Sequence, residues 1–318
     1  MIKKNLLFIT GLLLILTLFA CSNDNQEADD SNSSDESTEE ESGERTLEHA
    51  EGEVTVPENP ENIVAPYLED SMLALGVKPA AQWAIGEDVL DYLQPELEDV
   101  PTIEWDLPLE DTLSYDPDLI IFSSPSSIQN GSYEDYESIA PTFVYEDEIY
   151  ADWREQLTQM GEILNKQDEA EEVLSDFDEK VEETKANTED AIGDESVAFV
   201  WTMGEEFYVF EPDRYGAEVL YDEVGLTPPD FVEGLEQEEQ WNPISMEKLG
   251  ELDAEHVFVI AEENEPGLEI LDESSVWQST PAVENDQVYT MNDPSHWTID
   301  GALAHEMTLD AVNEALTE

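Results

Sequence analysis

From about residue 60 onward, short apolar runs alternate with stretches that have the periodicity of helices. The run 119–122 has no polar position, which is typical of a strand covered on both faces. The predicted strands lie within 63–65, 80–85, 102–105, 116–124, 140–146, 197–203, 207–211, 256–262 and 287–291. The predicted helices among them are 70–75, 109–114, 216–224, 246–252 and 299–316. This alternation indicates α/β structure with mainly parallel sheets and helices on their faces.

The middle of the chain follows a helical period instead. One apolar stripe recurs at intervals of three and four residues, as on an amphipathic helix. It consists of Trp153, Leu157, Met160 and Leu164. Polar residues 165–168 interrupt the phase, and apolar positions resume it from Ala170 onward. We therefore expect two helices with a kink or short break near residue 166.

This change of pattern divides the chain into parts. We predict an N-terminal α/β lobe over 46–150, a helical interlobe span over 151–187 and a C-terminal α/β lobe over 188–318. About 270 residues suffice for one large domain or two lobes. No sequence repeat is visible, which argues against a structural lipoprotein or adhesin built from repeats.

The N-terminus has the form of an export signal. A short basic start precedes an apolar run over residues 6–20, which is shorter than the ~20 residues of a membrane-spanning helix. Cys21 follows directly and is the only cysteine in the sequence, so it cannot form an internal disulfide. The alternative interpretation is a buried cysteine within an ordinary signal anchor.

Leu18-Phe19-Ala20-Cys21 resembles the lipobox of bacterial lipoproteins. The resemblance implies a signal peptide over 1–20, cleavage before Cys21 and acylation of its thiol, for example by palmitate. Two or more lipid chains are needed for stable anchoring to a membrane. Residues 22–45 contain ten acidic residues and one basic residue, so we expect 21–45 to be a disordered tether on the extracellular face of the cell membrane.

The charge of the chain is extreme. The sequence has 10 Lys and Arg against 81 Asp and Glu, a formal net charge of −71. Nucleic acid is excluded as a partner, because binding phosphates requires clustered Lys and Arg. Self-repulsion of this size destabilises a compact state, and salt relieves it. We therefore predict halophilic adaptation, meaning life in brine or in a salty alkaline medium.

Several phrases along the chain together resemble one known family. They are "ENIVAPYLEDSMLALGVKPAA", "DPDLIIFSS", "DRYGAEVLYDEVGLTPP", "WNPISMEKLGELDAEHVFVI" and "HWTIDGALAHEMTLDAV", in this order behind the lipobox. The chain is similar to the ferric-siderophore-binding lipoproteins of bacterial ABC importers. The resemblance implies two Rossmann-like lobes joined by a rigid interlobe helix, with an iron chelate held in the cleft and delivered to a membrane permease. It implies a monomeric binding protein without a cofactor or enzymatic activity.

Aromatic residues are the first candidates for the walls of that cleft. Tyr67, Trp201, Trp241 and Trp297 lie at predicted strand ends or in loops, where binding residues concentrate. Flat aromatic side chains suit a bulky chelate with an organic backbone. The resemblance places Trp201 and Trp297 at cleft-lining positions. The alternative for each aromatic residue is ordinary packing in the core.

The chain departs from the family at one cleft position. Many relatives have an arginine two residues after the position of Trp201, where it binds the oxygens around iron, whereas this chain has Met203. Arg214, in the neighbouring "EPDRYG" loop, is the candidate replacement. The alternative for Arg214 is a surface arginine paired with nearby acidic residues.

The scarcity of cations also limits the ligand. A ferric tris-catecholate carries a charge of about −3, and unit charges 4 Å apart interact by ~4 kcal/mol at an effective dielectric constant of 20. Such a ligand would require several Lys or Arg side chains. A neutral ferric hydroxamate requires only aromatic walls and a few donors. We therefore expect a hydroxamate or mixed citrate-hydroxamate chelate.

Two glutamates are candidates for contact with the permease. Glu110 and Glu247 open short predicted helices in the first and second lobes. In the family, one carboxylate per lobe at these places pairs with permease arginines, and such charges steer docking. The alternative is a helix-start acid that the helix dipole favours.

Other functions remain open at this point. A heme or cobalamin receptor of the same fold could use Met203 or His296 as an axial ligand. A direct metal site would require several converging His and carboxylate side chains among His49, His256, His296 and His305. A surface hydrolase or metal-dependent reductase is a further alternative. The sequence has neither a glycine-rich phosphate loop nor Gly-x-Ser-x-Gly, so no catalytic residues are predicted.

Overall fold

The computed structural model describes residues 43–235 and 241–317. Its strands are β1 (Glu44–His49), β2 (Gly52–Pro57), β3 (Ile63–Val64), β4 (Gln82–Ala84), β5 (Thr102–Glu104), β6 (Leu119–Phe122), β7 (Thr142–Val144), β8 (Val197–Met203), β9 (Glu206–Val209), β10 (His256–Ile260) and β11 (Val288–Met291). Its helices are α1 (Glu69–Ala74), α2 (Gln94–Leu97), α3 (Leu109–Ser114), α4 (Tyr133–Glu137), α5 (Asp147–Tyr150), α6 (Trp153–Leu164), α7 (Gln167–Ile192), α8 (Gly216–Glu218), α9 (Asp230–Glu233), α10 (Met246–Leu249), α11 (Pro266–Glu273), α12 (Pro281–Glu284) and α13 (Ala302–Thr317). The predicted signal peptide, Cys21 and the predicted tether up to residue 42 lie outside the described residues.

The first lobe is built on a parallel sheet. β6 pairs with β3 and β7, and β4 pairs with β5. A bridge between Val64 and Ala81 joins the two ladders, giving the spatial order β5-β4-β3-β6-β7. Successive residues of β6 point to opposite faces: Leu119 and Ile121 pack in one apolar cluster, and Ile120 and Phe122 in another. A strand buried on both faces explains the uninterrupted apolar run.

The second lobe contains a mixed sheet of order β11-β10-β8-β9. β8, β10 and β11 are parallel, as predicted. β9 is antiparallel to β8. The two residues Gly204 and Glu205 connect them, and a parallel pair would need a much longer crossover. Gly204 has φ +64, which the tight hairpin requires.

The helical span between the lobes consists of α6 and α7. Asn165, in the left-handed conformation with φ 57, ends α6, and α7 begins at Gln167. This confirms the predicted break near residue 166. α7 continues to Ile192, five residues beyond the predicted end at 187. α13 packs along α7, where Lys180 contacts Glu306 at 2.9 Å and Asp310 at 2.7 Å.

The folded part begins earlier than predicted. Glu44 and Arg45 belong to β1, so the predicted end of the tether at residue 45 is two residues too late. Arg45 donates hydrogen bonds to the carbonyls of Glu162 and Ile163 at the end of α6. The β1–β2 hairpin, which the sequence analysis did not predict, buries Val54 and Val56 against the first lobe. In the part of the chain that is described, none of the helices is both long and apolar enough to span a membrane.

Candidate functional site

A cleft lies where the strands of both lobes end. Binding sites of open α/β sheets form outside the carboxyl ends of the strands. A cavity of about 640 Å³, called the main cavity below, is lined from the first lobe by Tyr67 and Trp83 and from the second lobe by Trp201 and Met203. Tyr67 follows β3, Trp83 lies in β4, and Trp201 and Met203 lie at the end of β8. The structure therefore brings Tyr67, Trp201 and Met203 together, as the sequence predicted.

Aromatic rings form both walls of the main cavity. The rings of Tyr67 and Trp83 lie 5.4 Å apart on one side. On the other side, Trp201 lies 5.2 Å from the ring of Tyr208 and 5.5 Å from that of Trp241. Met203 is 51 % exposed, so its thioether is available to a ligand. Of these rings, Tyr67, Trp83 and Trp201 line the main cavity and offer flat apolar surface to an organic molecule between the lobes.

Trp297 does not line the cavities described here, contrary to the sequence prediction. It is 1 % exposed and packs in the core of the second lobe. Its ring lies 5.8 Å from that of Phe199 and 6.4 Å from that of Phe258. The turn before α13 directs this side chain toward the sheet, where it buries more apolar surface than it would at the cleft.

Arg214 is buried rather than open to the main cavity. Its guanidinium donates to both carboxylate oxygens of Glu211 and lies 4.4 Å from the ring centre of Trp241. Trp241 in turn stacks on Tyr215 at 6.2 Å. Neither Arg214 nor Trp241 lines the main cavity. Both side chains lie behind the wall of the main cavity. The prediction that Arg214 takes the place of the missing cleft arginine is therefore wrong.

The histidines do not assemble into a metal site. Among the described residues, no group of three or more His, Cys, Asp or Glu side chains could hold a metal ion. His296 is 5 % exposed, and burial lowers its pKa. Of the two candidate axial ligands for heme, Met203 therefore faces the main cavity and His296 is buried beside Trp297.

A second, smaller cavity of about 250 Å³ lies deeper between the lobes. Four tyrosines contribute to its lining, and we call it the tyrosine cavity. They are Tyr67, Tyr92, Tyr150 and Tyr215. Burial, together with the nearby Tyr215, Asp300 and Glu69, raises the pKa of Tyr67 to about 12. Burial also raises the pKa values of Tyr92, Tyr150 and Tyr215, so these phenols stay protonated at physiological pH.

Asp70 connects the two lobes beside the tyrosine cavity. It lies in α1, is 6 % exposed and accepts hydrogen bonds from the backbone N–H groups of Leu303 (3.1 Å) and Ala304 (3.0 Å) in the first turn of α13. The hydroxyl of Tyr92 donates to the same carboxylate at 2.9 Å. Gly301 leaves no room for a Cβ beside the Asp70 carboxyl group. Asp70 thus caps a helix more than 200 residues away in the chain.

The neighbouring Glu69 is also buried and positions the aromatic wall. Its Oε1 accepts a hydrogen bond from the backbone N–H of Trp83 at 2.6 Å, and its Oε2 has no partner in the described structure. Burial raises the pKa of Glu69 to about 7. Backbone hydrogen bonds to the carboxylate oppose this rise, and the one from Trp83 has the largest effect among them. An unpaired buried carboxylate oxygen is costly, whereas a protonated one is not.

Stability is expected to depend on pH through Glu69. The folded pKa of about 7 exceeds the ordinary glutamate pKa of 4.5. The stabilising effect of the bound proton is therefore complete below pH 4.5 and is lost as pH rises through 7. At about 1.4 kcal/mol per pKa unit, the loss is about 3 kcal/mol. Urea unfolding at pH 5 and pH 8 in constant salt should show a larger loss in the wild type than in Glu69→Gln. The difference between the two proteins isolates Glu69, because burial also shifts the pKa values of Asp70 and His296 in both of them.

A matched control isolates this effect from the many other carboxylates. Glu96→Gln removes an exposed carboxylate that pairs with Lys78 on the surface. It should retain the full wild-type difference between the two pH values. Parallel pH dependences for the wild type and Glu69→Gln would contradict the expectation.

The two predicted docking glutamates lie on the surface. Glu110 is exposed in the first turn of α3, and Glu247 is exposed in the first turn of α10, each in its own lobe. Both positions agree with the helix starts that the sequence predicts. Their role in docking stays a prediction.

A family model described as periplasmic binding protein matches residues 69–294. The chain belongs to the periplasmic binding protein family. The matched range runs from the start of α1 to the segment before α13. It takes in most of the residues that line the main cavity from both lobes, and four others lie just outside it: Tyr67, Ser295, Thr298 and Ile299.

Relatives of this periplasmic binding protein occur in Bacillus subtilis (strain 168). "Probable siderophore-binding lipoprotein YfiY" is 28 % identical over 274 residues, which cover 81 % of this chain and 82 % of the relative. "Iron(3+)-hydroxamate-binding protein YxeB" is 26 % identical over 310 residues, which cover 94 % and 92 %. A solved FhuD fold-family structure from Bacillus subtilis, described as a component of a ferrichrome ABC transporter, has TM-score 0.70 and 25 % identity, covering 86 % of this chain and 100 % of that one.

Several site residues of this periplasmic binding protein were missed by sequence analysis. Trp83, Tyr150, Tyr215 and Asp300 all line the cleft. Trp83 lies near the end of the strand predicted within 80–85, and a signal similar to the one that selected Tyr67 could have identified it. Tyr215 lies beside Arg214 in a loop that had already been selected. Nothing in the local sequence distinguishes Tyr150 or Asp300.

Proposed function

We propose that this periplasmic binding protein is the solute receptor of a bacterial ABC importer. It captures a ferric siderophore between its lobes and delivers the chelate to a permease for iron uptake. The observation that supports this most directly is the main cavity, which has aromatic side chains on both walls. Relatives named for siderophore and iron-hydroxamate binding support the same function.

The charge of the cavity lining favours a hydroxamate or citrate-hydroxamate chelate. Among the described residues that line the main cavity, there is neither Lys nor Arg. The lining includes Asp88, Asp91, Glu262, Glu265 and Asp293. A tris-catecholate of charge about −3 would be repelled by these carboxylates, whereas a neutral chelate would not.

The setting of the receptor follows from the sequence. We infer that Cys21 is lipidated, which holds the protein at the extracellular face of the cell membrane. Glu110 and Glu247 then face a permease dimer as one carboxylate per lobe, and they steer docking. In this proposal the protein acts as a monomer and as a binding protein without catalysis, and iron is its cargo and not a cofactor. The surplus of acids adapts it to brine.

Ferric chelates should quench the intrinsic tryptophan fluorescence of the mature chain in molar salt. Titration with a ferric trihydroxamate, ferric citrate, a ferric tris-catecholate and heme separates the candidate ligands. We expect saturable binding of the trihydroxamate without turnover. Tight catecholate binding without hydroxamate binding would refute the proposed ligand class, and saturation by heme alone would favour a heme receptor.

Two tryptophan variants test the position of the site. Trp201→Ala removes a wall of the main cavity and should weaken chelate binding about tenfold, equivalent to about 1.4 kcal/mol. Trp297→Phe, in the core, serves as the matched control: it should reduce stability and leave affinity unchanged. Equal affinities of Trp201→Ala and the wild type would place the binding site elsewhere.

A further inference from the structure

We propose that the tyrosine cavity binds a protonated amine on the periphery of the chelate, so that the preferred ligand is a cationic ferric hydroxamate. This inference rests on the proposed function and specifies its substrate class. The chelate body occupies the main cavity, and an alkylammonium arm extends into the tyrosine cavity.

The two cavities adjoin. Tyr67, Leu90, Thr298 and Ile299 line both of them. An arm that leaves a chelate in the main cavity therefore reaches the tyrosine cavity along shared walls. At about 250 Å³ the tyrosine cavity is too small for a ferric trihydroxamate and large enough for an alkylammonium group.

Aromatic rings around a small cavity attract organic cations. The tyrosines come from both lobes: Tyr67, Tyr92 and Tyr150 from the first and Tyr215 from the second. A neutral phenol ring has a negative face that attracts an ammonium group within about 6 Å of its centre. Because burial raises the pKa values of these tyrosines, the rings stay neutral and their hydroxyl groups stay protonated.

The charges around the tyrosine cavity also favour a cation. Asp300 lines it, and among its described lining residues there is neither Lys nor Arg. Asp300 raises the pKa of Glu218 by like-charge repulsion, after the larger effect of burial, and a bound cation would relieve that repulsion. His305 faces Asp300, with 3.5 Å between Nε2 and Oδ1. Asp70 also lines the cavity, where three hydrogen bonds already engage it.

Two of the tyrosines are held in unfavourable backbone conformations. Tyr67 has φ 66, and Tyr215 has φ 49 with ψ −132. Such conformations are unfavourable for a residue with a side chain, and they concentrate at ligand sites. Both lie on the same small cavity and approach it from opposite lobes. Two residues in such conformations therefore belong to the same proposed ligand site.

A matched pair of ligands tests the inference. One is a linear ferric trihydroxamate with a free terminal amine, and the other is the same chelate with that amine N-acetylated. We expect the amine form to bind the mature chain about tenfold more tightly, equivalent to about 1.4 kcal/mol. Equal affinities would overturn the inference while leaving the proposed function intact. Failure of both chelates to bind would overturn the proposed function and the inference with it.

Protein variants assign the preference to the tyrosine cavity. Asp300→Asn should lower affinity for the amine form much more than for the acetylated form, so that the tenfold ratio falls to about one. Tyr150→Leu should reduce the ratio independently. Glu263→Gln, an exposed charge-matched control outside the lining of both cavities, should retain it. A ratio that persists in both cavity variants would contradict the assignment.

A competition experiment with an iron-free amine tests whether the tyrosine cavity serves a chelate or a free organic cation. Pentylammonium, without iron or hydroxamate, should compete with the amine chelate only at concentrations far above those at which the chelate binds. If pentylammonium bound as tightly as the chelate, the cavity would serve a free organic cation, and the inference would be wrong.

Discussion

Replacing Asp70 with alanine is expected to lower the free energy of unfolding by about 3 kcal/mol or more. The change removes the acceptor of the Leu303 and Ala304 N–H groups and of the Tyr92 hydroxyl. All three donors would be left unpaired at a site where Asp70 itself is 6 % exposed. α13 would also lose its cap, which alone is worth about 1 kcal/mol. Chemical unfolding in 1 M salt, followed by far-UV circular dichroism, measures the effect.

Two further variants test whether the loss of stability comes from the hydrogen bonds of Asp70. Asp70→Asn keeps one acceptor oxygen but places an amide donor opposite the N–H groups of α13, so its loss should be intermediate. Asp99→Ala removes an exposed carboxylate from the same lobe and should change stability by less than about 0.5 kcal/mol. An unfolding midpoint of Asp70→Ala equal to that of Asp99→Ala would mean that the interlobe cap contributes nothing.

The parts of the fold that sequence patterns could predict are those whose burial is regular. β6 and β10 are buried on both faces and appear as continuous apolar runs. The break between α6 and α7 follows from the interrupted helical stripe. The β1–β2 hairpin escaped because its inward residues, Val54 and Val56, alternate with polar residues in a segment that continues an acidic tether. The acidic composition of this part of the chain obscured the weak alternation of apolar and polar positions that is typical of a strand.

The candidate site was only partly predictable, for a different reason. Tyr67 follows the end of β3, and Trp201 and Met203 lie at the end of β8. The carboxyl ends of parallel strands converge on one crevice. Trp297 also lies in a loop after a strand, but its contacts with Phe199 and Phe258 bury it in the core. Only tertiary packing decides whether an aromatic residue at such a position lines the cavity or is buried in the core. Likewise, the tyrosine cavity joins residues 67, 92, 150 and 215, which no local pattern relates.

The melting temperature is expected to rise by about 15 °C between 0.05 M and 1–2 M NaCl. The surplus of negative charge is 71. Relief of only about 0.1 kcal/mol for each surplus carboxylate amounts to about 7 kcal/mol, a modest assumption beside the ~1 kcal/mol between charges 4 Å apart in water. A domain of this size gains about 2 °C per kcal/mol. Few cations offset the repulsion: Arg154, for example, already contacts both Asp178 and Glu223.

The shape of the salt dependence separates screening from other effects of salt. The screening length falls from about 10 Å at 0.1 M to about 3 Å at 1 M, so most of the rise should be complete by 1 M. NaCl and KCl should act alike, because screening depends on ionic strength. Sucrose, which stabilises compact states by exclusion, should give a smaller and steadily increasing effect. A melting temperature that stays flat across the chloride series would show that the acidic surface is not an adaptation to brine, because the folded chain would then tolerate its charge without screening.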